Sequence, residues 1–200
     1  MNYLSHIQLA HISNTSLVGN FLGDFVKGSD LSHLPKPIQT GIKLHRSIDS
    51  FTDSHDSVVK LRQQFPNNLR RISGVIIDVY FDHLLTQHHE HFTDLSLEQV
   101  LDRFYRELED DNLDISERFN LVRNSLIKHR WLENYSQLQA CLKAFLQIEQ
   151  RLGGRITFAN EGLAFIQKNA PLFEDAFLSL YPSLTKHVLQ RVAAFKHQNQ

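Results

Sequence analysis

The chain has 200 residues with a formal net charge of −1 when histidine is counted neutral, and 42% of it is hydrophobic. That length suits one domain, the apolar fraction suffices for a core, and the balanced charge of the whole protein argues for neither a nucleic-acid nor a membrane partner, local basic patches aside. One cysteine, Cys141, excludes an internal disulfide and fits a reducing compartment. The N-terminus, "MNYLSHIQLAHIS", lacks the charged and apolar regions of a secretory signal, and no run reaches the roughly 18 apolar residues of a membrane span. The expectation is a soluble cytoplasmic protein.

Helical periodicity dominates. Residues 2–12 read as a helix ending at "SNTS", and 15–27 as a second with Gly28 as its C-cap. "LPKP" at 34–37 starts a long segment through 38–51. Asp53 or Ser54 is placed to cap 55–65, which stops at Pro66. Residues 70–90, apolar almost all round, suit the centre of a bundle, although "GVIID" alone is also compatible with a short buried strand. Ser96 with Gln99 forms a capping-box pattern for 97–110. Ser116 is expected to cap 117–133 and Ser136 to cap 137–152, before "GGR" breaks the chain. Two shorter helices follow, and Tyr181-Pro182 opens a last one that frays at "KHQNQ". The fold class is all-α, a single-domain helical bundle over 1–200. Residues 1–91 carry the unusual motifs and 95–200 supply additional helices.

Histidine is over-represented, with twelve in the chain, and nine of them precede residue 100. At about 100° per residue, Ile38, Ile42, His45 and Asp49 fall on one stripe. His45 and Asp49 therefore meet on a face that also carries apolar side chains. A carboxylate there needs a cation, a strong donor or a metal, and a plain structural pair satisfies the pattern equally well. In "VIIDVYFDHLL", Asp78 and Asp82 stand one turn apart on a buried helix, followed by His83. Their mutual repulsion calls for positive charge, either a divalent metal or arginines such as Arg46, Arg70 or Arg71. Asp24 lies four residues after Asn20 among Phe21, Leu22, Phe25 and Val26, with Gly19 and Gly23 permitting close backbone approach. His6 is a further candidate. "HHEH" at 88–91 reads as a solvated cluster and Cys141 as a core residue. Phosphate-loop, CxxC, GxSxG and HExxH patterns are missing from the chain. Together the aspartates and histidines point to an α-helical, metal-dependent hydrolase.

The segments "NYLSHIQLAH", "GNFLGDFVKG", "GIKLHRSIDSFTDSH" and "RRISGVIIDVYFDHLL", with "HRWLENY" and "LYPSL", resemble the acyl carrier protein phosphodiesterase (ACP hydrolase) family. The likeness is dense through residue 91 and sparse after about 95. It implies a fold similar to the HD-domain phosphohydrolases. It also implies an enzyme that hydrolyses the phosphodiester linking 4'-phosphopantetheine to a serine of holo-acyl carrier protein, giving apo-protein by a metal-activated water. The cofactor it implies is a divalent metal, Mn2+ first, with Mg2+ or Fe2+ as alternatives. The residues it implies at the metal are Asp24, His45, Asp49, Asp82 and His83, with Asp24, Asp78 and Arg46 in catalysis and His6 and Asp53 as candidates for the metal or its immediate surroundings. The acidic protein substrate gives Lys27, Lys43, Arg62, Arg70 and Arg71 a docking role, with no nucleic acid and no membrane insertion. In an HD domain the pair reads His-Asp, whereas here it is Asp82-His83, so the ligand set does not transfer directly. The alternatives are an HD-like phosphohydrolase of a nucleotide or small phosphoester, and a non-enzymatic helical scaffold.

Overall fold

Two helices that are apolar on nearly every side occupy the middle of the molecule. In a computed structural model of the chain, which describes residues 1–197 with side chains through Phe195, these are α1 (Tyr3–Ile12) and α6 (Ser73–His88). Every residue of α1 from Leu4 to Ala10 is buried, including Ser5, His6 and Gln8. α6 buries Ile76, Ile77 and the run from Val79 to Leu85. A helix without a polar face is stable only when neighbours cover it.

The covering helices come in chain order. α2 (Leu17–Phe21) opens on Ser16, whose hydroxyl accepts from Gly19 N–H, and tightens into a 3-10 turn over Leu22–Asp24. The expected helix 15–27 is thus shorter and ends early. α3 (Lys36–Ser54) carries Pro37 in its first turn and lies against α2. A side chain at Gly41 would sit 2.5 Å from the carbonyl carbon of Gly19, so these two backbones touch only because both positions are glycine.

α4 (Asp56–Gln63) follows, and its N-cap is His55, whose ring nitrogen accepts from Ser57 N–H, rather than Asp53 or Ser54. α5 (Asn67–Arg70) is a single turn before α6, and "GVIID" is helical within α6. α7 (Leu97–Asp110) has both hydrogen bonds of the Ser96–Gln99 capping box. α8 (Glu117–His129) is capped by Ser116, but stops four residues before the expected 133. Arg130 there adopts a left-handed conformation (φ 44°) and a 3-10 segment, Trp131–Ser136, follows. α9 (Leu138–Arg151) is preceded by Gln137, which makes no side-chain cap, and not by Ser136.

α10 (Ala159–His197), two helical stretches that meet at a kink, stands where three helices are expected. Its interruption is at Asn169 (φ −123°), whose amide donates to the Phe165 carbonyl. Pro182 is carried inside the helix. Phe177, Leu180, Tyr181, Leu184 and Val188 are all fully buried, and this continuous apolar face outweighs the backbone bond that Pro182 lacks. Of the "KHQNQ" tail, residues 198–200 lie outside the described residues. Among those described, no helix is long and apolar enough to cross a membrane, and there is no strand.

Candidate metal centre and adjoining cleft

Helices α1 and α3 bring His6, His45 and Asp49 together. Their ligand atoms all lie within 4.8 Å of one another. The Asp49 carboxylate lies between the two imidazoles, with Oδ1 3.0 Å from His6 Nε2 and Oδ2 3.1 Å from His45 Nε2. The rings stack at a centroid distance of 3.9 Å. Both histidines are buried, while the Asp49 side chain is 42% exposed, which leaves the cluster open to solvent on one side. The other face of His45 is covered by Gly23, where a Cβ would lie 2.2 Å from His45 Cγ. The glycine thus seats the Leu22–Asp24 turn directly on the imidazole.

The electrostatics suit a cation. Burial alone would raise the Asp49 pKa, but hydrogen bonds from His45 and His6 outweigh it and hold the carboxyl far below its usual range. Burial lowers His6, and the neighbouring His45 lowers it further, so at neutral pH its imidazole is uncharged. The site then offers one carboxylate and two imidazoles, the His6 ring being uncharged. Asn20 Oδ1 lies 3.0 Å from His6 Nδ1. Were a metal to replace the hydrogen bond between His6 Nε2 and Asp49, that amide oxygen would accept the Nδ1 proton and leave the Nε2 lone pair for the ion. An outer acceptor that fixes the tautomer in this way is the usual accompaniment of a metal-bound histidine. The residues present therefore fit a divalent metal.

Of the residues expected at the metal, the structure brings together His45 and Asp49, with His6 as the third member. Asp82 is engaged elsewhere. It is fully buried, and its oxygens accept from Leu4 N–H (2.8 Å), Ser5 N–H (3.0 Å) and Ser5 Oγ (2.6 Å). It caps α1, whose own N-cap residue, Asn2, makes no side-chain cap. Burial pushes its pKa up to about 6 against those three donors, so it is ionised at pH 7. His83 Nδ1 donates to the Tyr135 carbonyl (2.7 Å) and its Nε2 meets Gln87, so its ring points to the segment before α9. Arg46 donates to the Val26 carbonyl (3.0 Å), tying down the chain after the 3-10 turn instead of facing the cluster. Asp53 is exposed and pairs with Arg62 at 2.7 Å. "HHEH" is only partly solvated, since His89 is buried and donates to the Leu95 carbonyl, and His88 lies 2.8 Å from Glu174.

Asp24 and Asp78 stand beside the cluster on the wall of a cleft of about 330 Å³. The Met1 amino group links the two places, 2.9 Å from Asp78 and 3.5 Å from Asp49. Burial lowers its pKa, but these carboxylates prevail and raise it to about 10. The same cleft is lined by Arg118 of α8 and Arg151 of α9, which no sequence motif marks, and by Trp131 from "HRWLENY". Arg62, Arg70 and Arg71 line an open cavity of about 730 Å³ that shares Val75 and Asp78 with the cleft. Lys43 lies elsewhere, in a groove with Arg46 and Arg191, and Lys27 is exposed after the 3-10 turn.

Comparison with known proteins agrees with the sequence motifs. The acyl carrier protein phosphodiesterase family matches residues 1–184. A protein of that name from Klebsiella pneumoniae (strain 342) is 37% identical over 190 residues, covering 93% of this chain and 96% of its own. Counterparts from Yersinia pestis (32% over 187 residues, 93% and 96%) and Pectobacterium atrosepticum (31% over 185 residues, 92% and 95%) carry the same name. No solved structure matches, and the HD-domain likeness remains an expectation from sequence. The chain belongs to the acyl carrier protein phosphodiesterase family.

Proposed function

We propose that this protein acts in the cytoplasm as a metal-dependent phosphodiesterase that cleaves the bond between 4'-phosphopantetheine and the serine of holo-acyl carrier protein, leaving apo-protein. The observation that carries the reading is the meeting of His6, His45 and Asp49, joined through the Met1 amino group to a cleft lined by Arg118 and Arg151. The names of the relatives support the substrate.

His6, His45 and Asp49 would hold the metal. When bound, a divalent ion would supply Lewis-acid polarisation of a phosphoryl oxygen and lower the pKa of a nearby water. Two imidazole nitrogens favour Mn2+ or Fe2+ over Mg2+, which prefers an all-oxygen shell. Asn20 orients His6, and Gly23 leaves room for the His45 ring. Asp78 and Asp24, the carboxylates on the cleft wall, are positioned to move protons for the attacking water and the departing serine oxygen. Arg70 and Arg71, both exposed, stand with Arg62 beside the cleft and supply a rim for an acidic protein.

The test is the intact mass of holo-acyl carrier protein after incubation with the Mn2+-loaded protein. Conversion to the apo mass is expected, together with free 4'-phosphopantetheine. An unchanged mass under conditions in which a nucleotide or small phosphodiester is cleaved would replace this reading with a small-molecule phosphohydrolase. No cleavage of either and no bound metal would leave a scaffold.

A further inference from the structure

The C-terminal helices build a second half of the site. The 330 Å³ cleft is lined by Asp24 and Asp78 together with Arg118 and Arg151. Arg118 is held in place by the face of Phe25 (4.9 Å to the ring centroid) and by the Asp24 carbonyl (3.5 Å). Arg62, Arg103 and Arg130 each meet a carboxylate, but among the described residues neither Arg118 nor Arg151 does. Two guanidinium groups that line one cleft without an ion-pair partner are a site for an anion, and their planar donors match phosphate oxygens. Tyr3 lines the same cleft as the two guanidinium groups.

The cleft does not end there. Trp131, Tyr135, Ala144 and Gln147 also line an adjoining cavity of about 200 Å³ along α9. Its walls carry the side-chain amides of Asn134, Gln137 and Gln139. Through the shared residues the cleft that carries Arg118 and Arg151 continues into an amide-lined, partly apolar extension. The chemistry that fits is a phosphoester on a linear chain bearing amides.

We propose that Arg118 and Arg151 bind the phosphate of the phosphopantetheine arm, and that the groove along α9 past Trp131 holds its amide chain. This assignment rests on the function proposed above, but it is tested without turnover. Chelator-treated, full-length protein is titrated calorimetrically with 4'-phosphopantetheine and with pantetheine, which lacks the phosphate. Trp131, the single tryptophan, serves as a local fluorescence reporter. 4'-Phosphopantetheine should bind more tightly than pantetheine and alter Trp131 emission. Arg118→Gln and Arg151→Gln should each weaken 4'-phosphopantetheine by about tenfold and leave pantetheine unchanged. Both arginines are exposed, so the variants should melt like wild type. Equal binding of the two compounds, or arginine variants that bind 4'-phosphopantetheine like wild type, would overturn the assignment. If holo-acyl carrier protein is cleaved while this titration fails, the groove is misassigned and the reaction stands. If the titration succeeds and no cleavage occurs, the groove stands and the reaction is wrong.

Discussion

Replacing Gly23 with alanine should damage the metal cluster although Gly23 supplies no ligand. The new methyl would lie 2.2 Å from His45 Cγ, 2.4 Å from Cδ2 and 2.6 Å from Cβ. Ordinary carbon contacts are about 3.5–4 Å, so something must move by more than about 1 Å. His45 is not free to do so, because His6 stacks on its ring and Asp49 holds its Nε2. Overpacking of this kind costs about 1–3 kcal/mol, which in a chain of this size lowers Tm by roughly 2–12 °C. The same displacement exceeds the roughly 0.2 Å tolerance of metal–ligand distances. Metal at about 100 times Kd stabilises a folded protein by about 2.7 kcal/mol, and Gly23→Ala should lose most of that gain. The assay is thermal melting with and without Mn2+. Gly28→Ala is the control: Gly28 has φ +84° and a methyl group there would meet nothing within 4 Å, so the change strains the backbone without touching the cluster. If Gly23→Ala melts like wild type and keeps the full Mn2+ shift, the close seating of the 3-10 turn on His45 is wrong.

Three further outcomes follow from the same contacts. Asp82→Ala removes the α1 cap and strands two buried N–H groups, which should cost about 3 kcal/mol and lower Tm by roughly 6–12 °C in a melt. In metal-free protein the lowered His6 pKa contributes stability that is complete above the unfolded value of about 6.5 and is lost as the pH falls through the folded value. Denaturant titrations from pH 7 to pH 5 should therefore show a smaller loss for His6→Gln than for wild type. Cys141 is buried and its thiol is pushed up to about 12, so it should resist a thiol reagent in the native state and react on unfolding.

The helical class and most helix starts were legible because periodicity and caps are local signals. Ser96, Ser116 and the "LPKP" turn do what their residue types dictate. Pro182 misled because a local helix breaker was overridden by a buried face that only the tertiary fold supplies. The i, i+4 meeting of His45 with Asp49 was equally local. Its third member, His6, was not, because nothing in the sequence sets the register of α1 against α3. For Asp82 the reasoning that a buried carboxylate needs a partner held, but the partner is the N-terminus of a neighbouring helix and not a cation. Arg46 lies one residue, about 100°, off the His45 stripe, and that rotation carries its guanidinium to the Val26 carbonyl. Arg118 and Arg151 come from helices without motif signal and meet only in the fold.

The proposed metal centre that cleaves the arm consists of His6, His45 and Asp49, and it excludes Asp82 and His83. It is put to the test by the initial rate of 4'-phosphopantetheine release from holo-acyl carrier protein as Mn2+ is returned to chelator-treated protein, measured for wild type, Asp49→Asn and Asp82→Asn well below their melting temperatures. Wild type should show a Mn2+-dependent rate, Asp49→Asn should lose it almost completely at every Mn2+ concentration, and Asp82→Asn should keep an unchanged Mn2+ midpoint. A rate that survives in Asp49→Asn, or a Mn2+ requirement that shifts in Asp82→Asn alone, would contradict this centre.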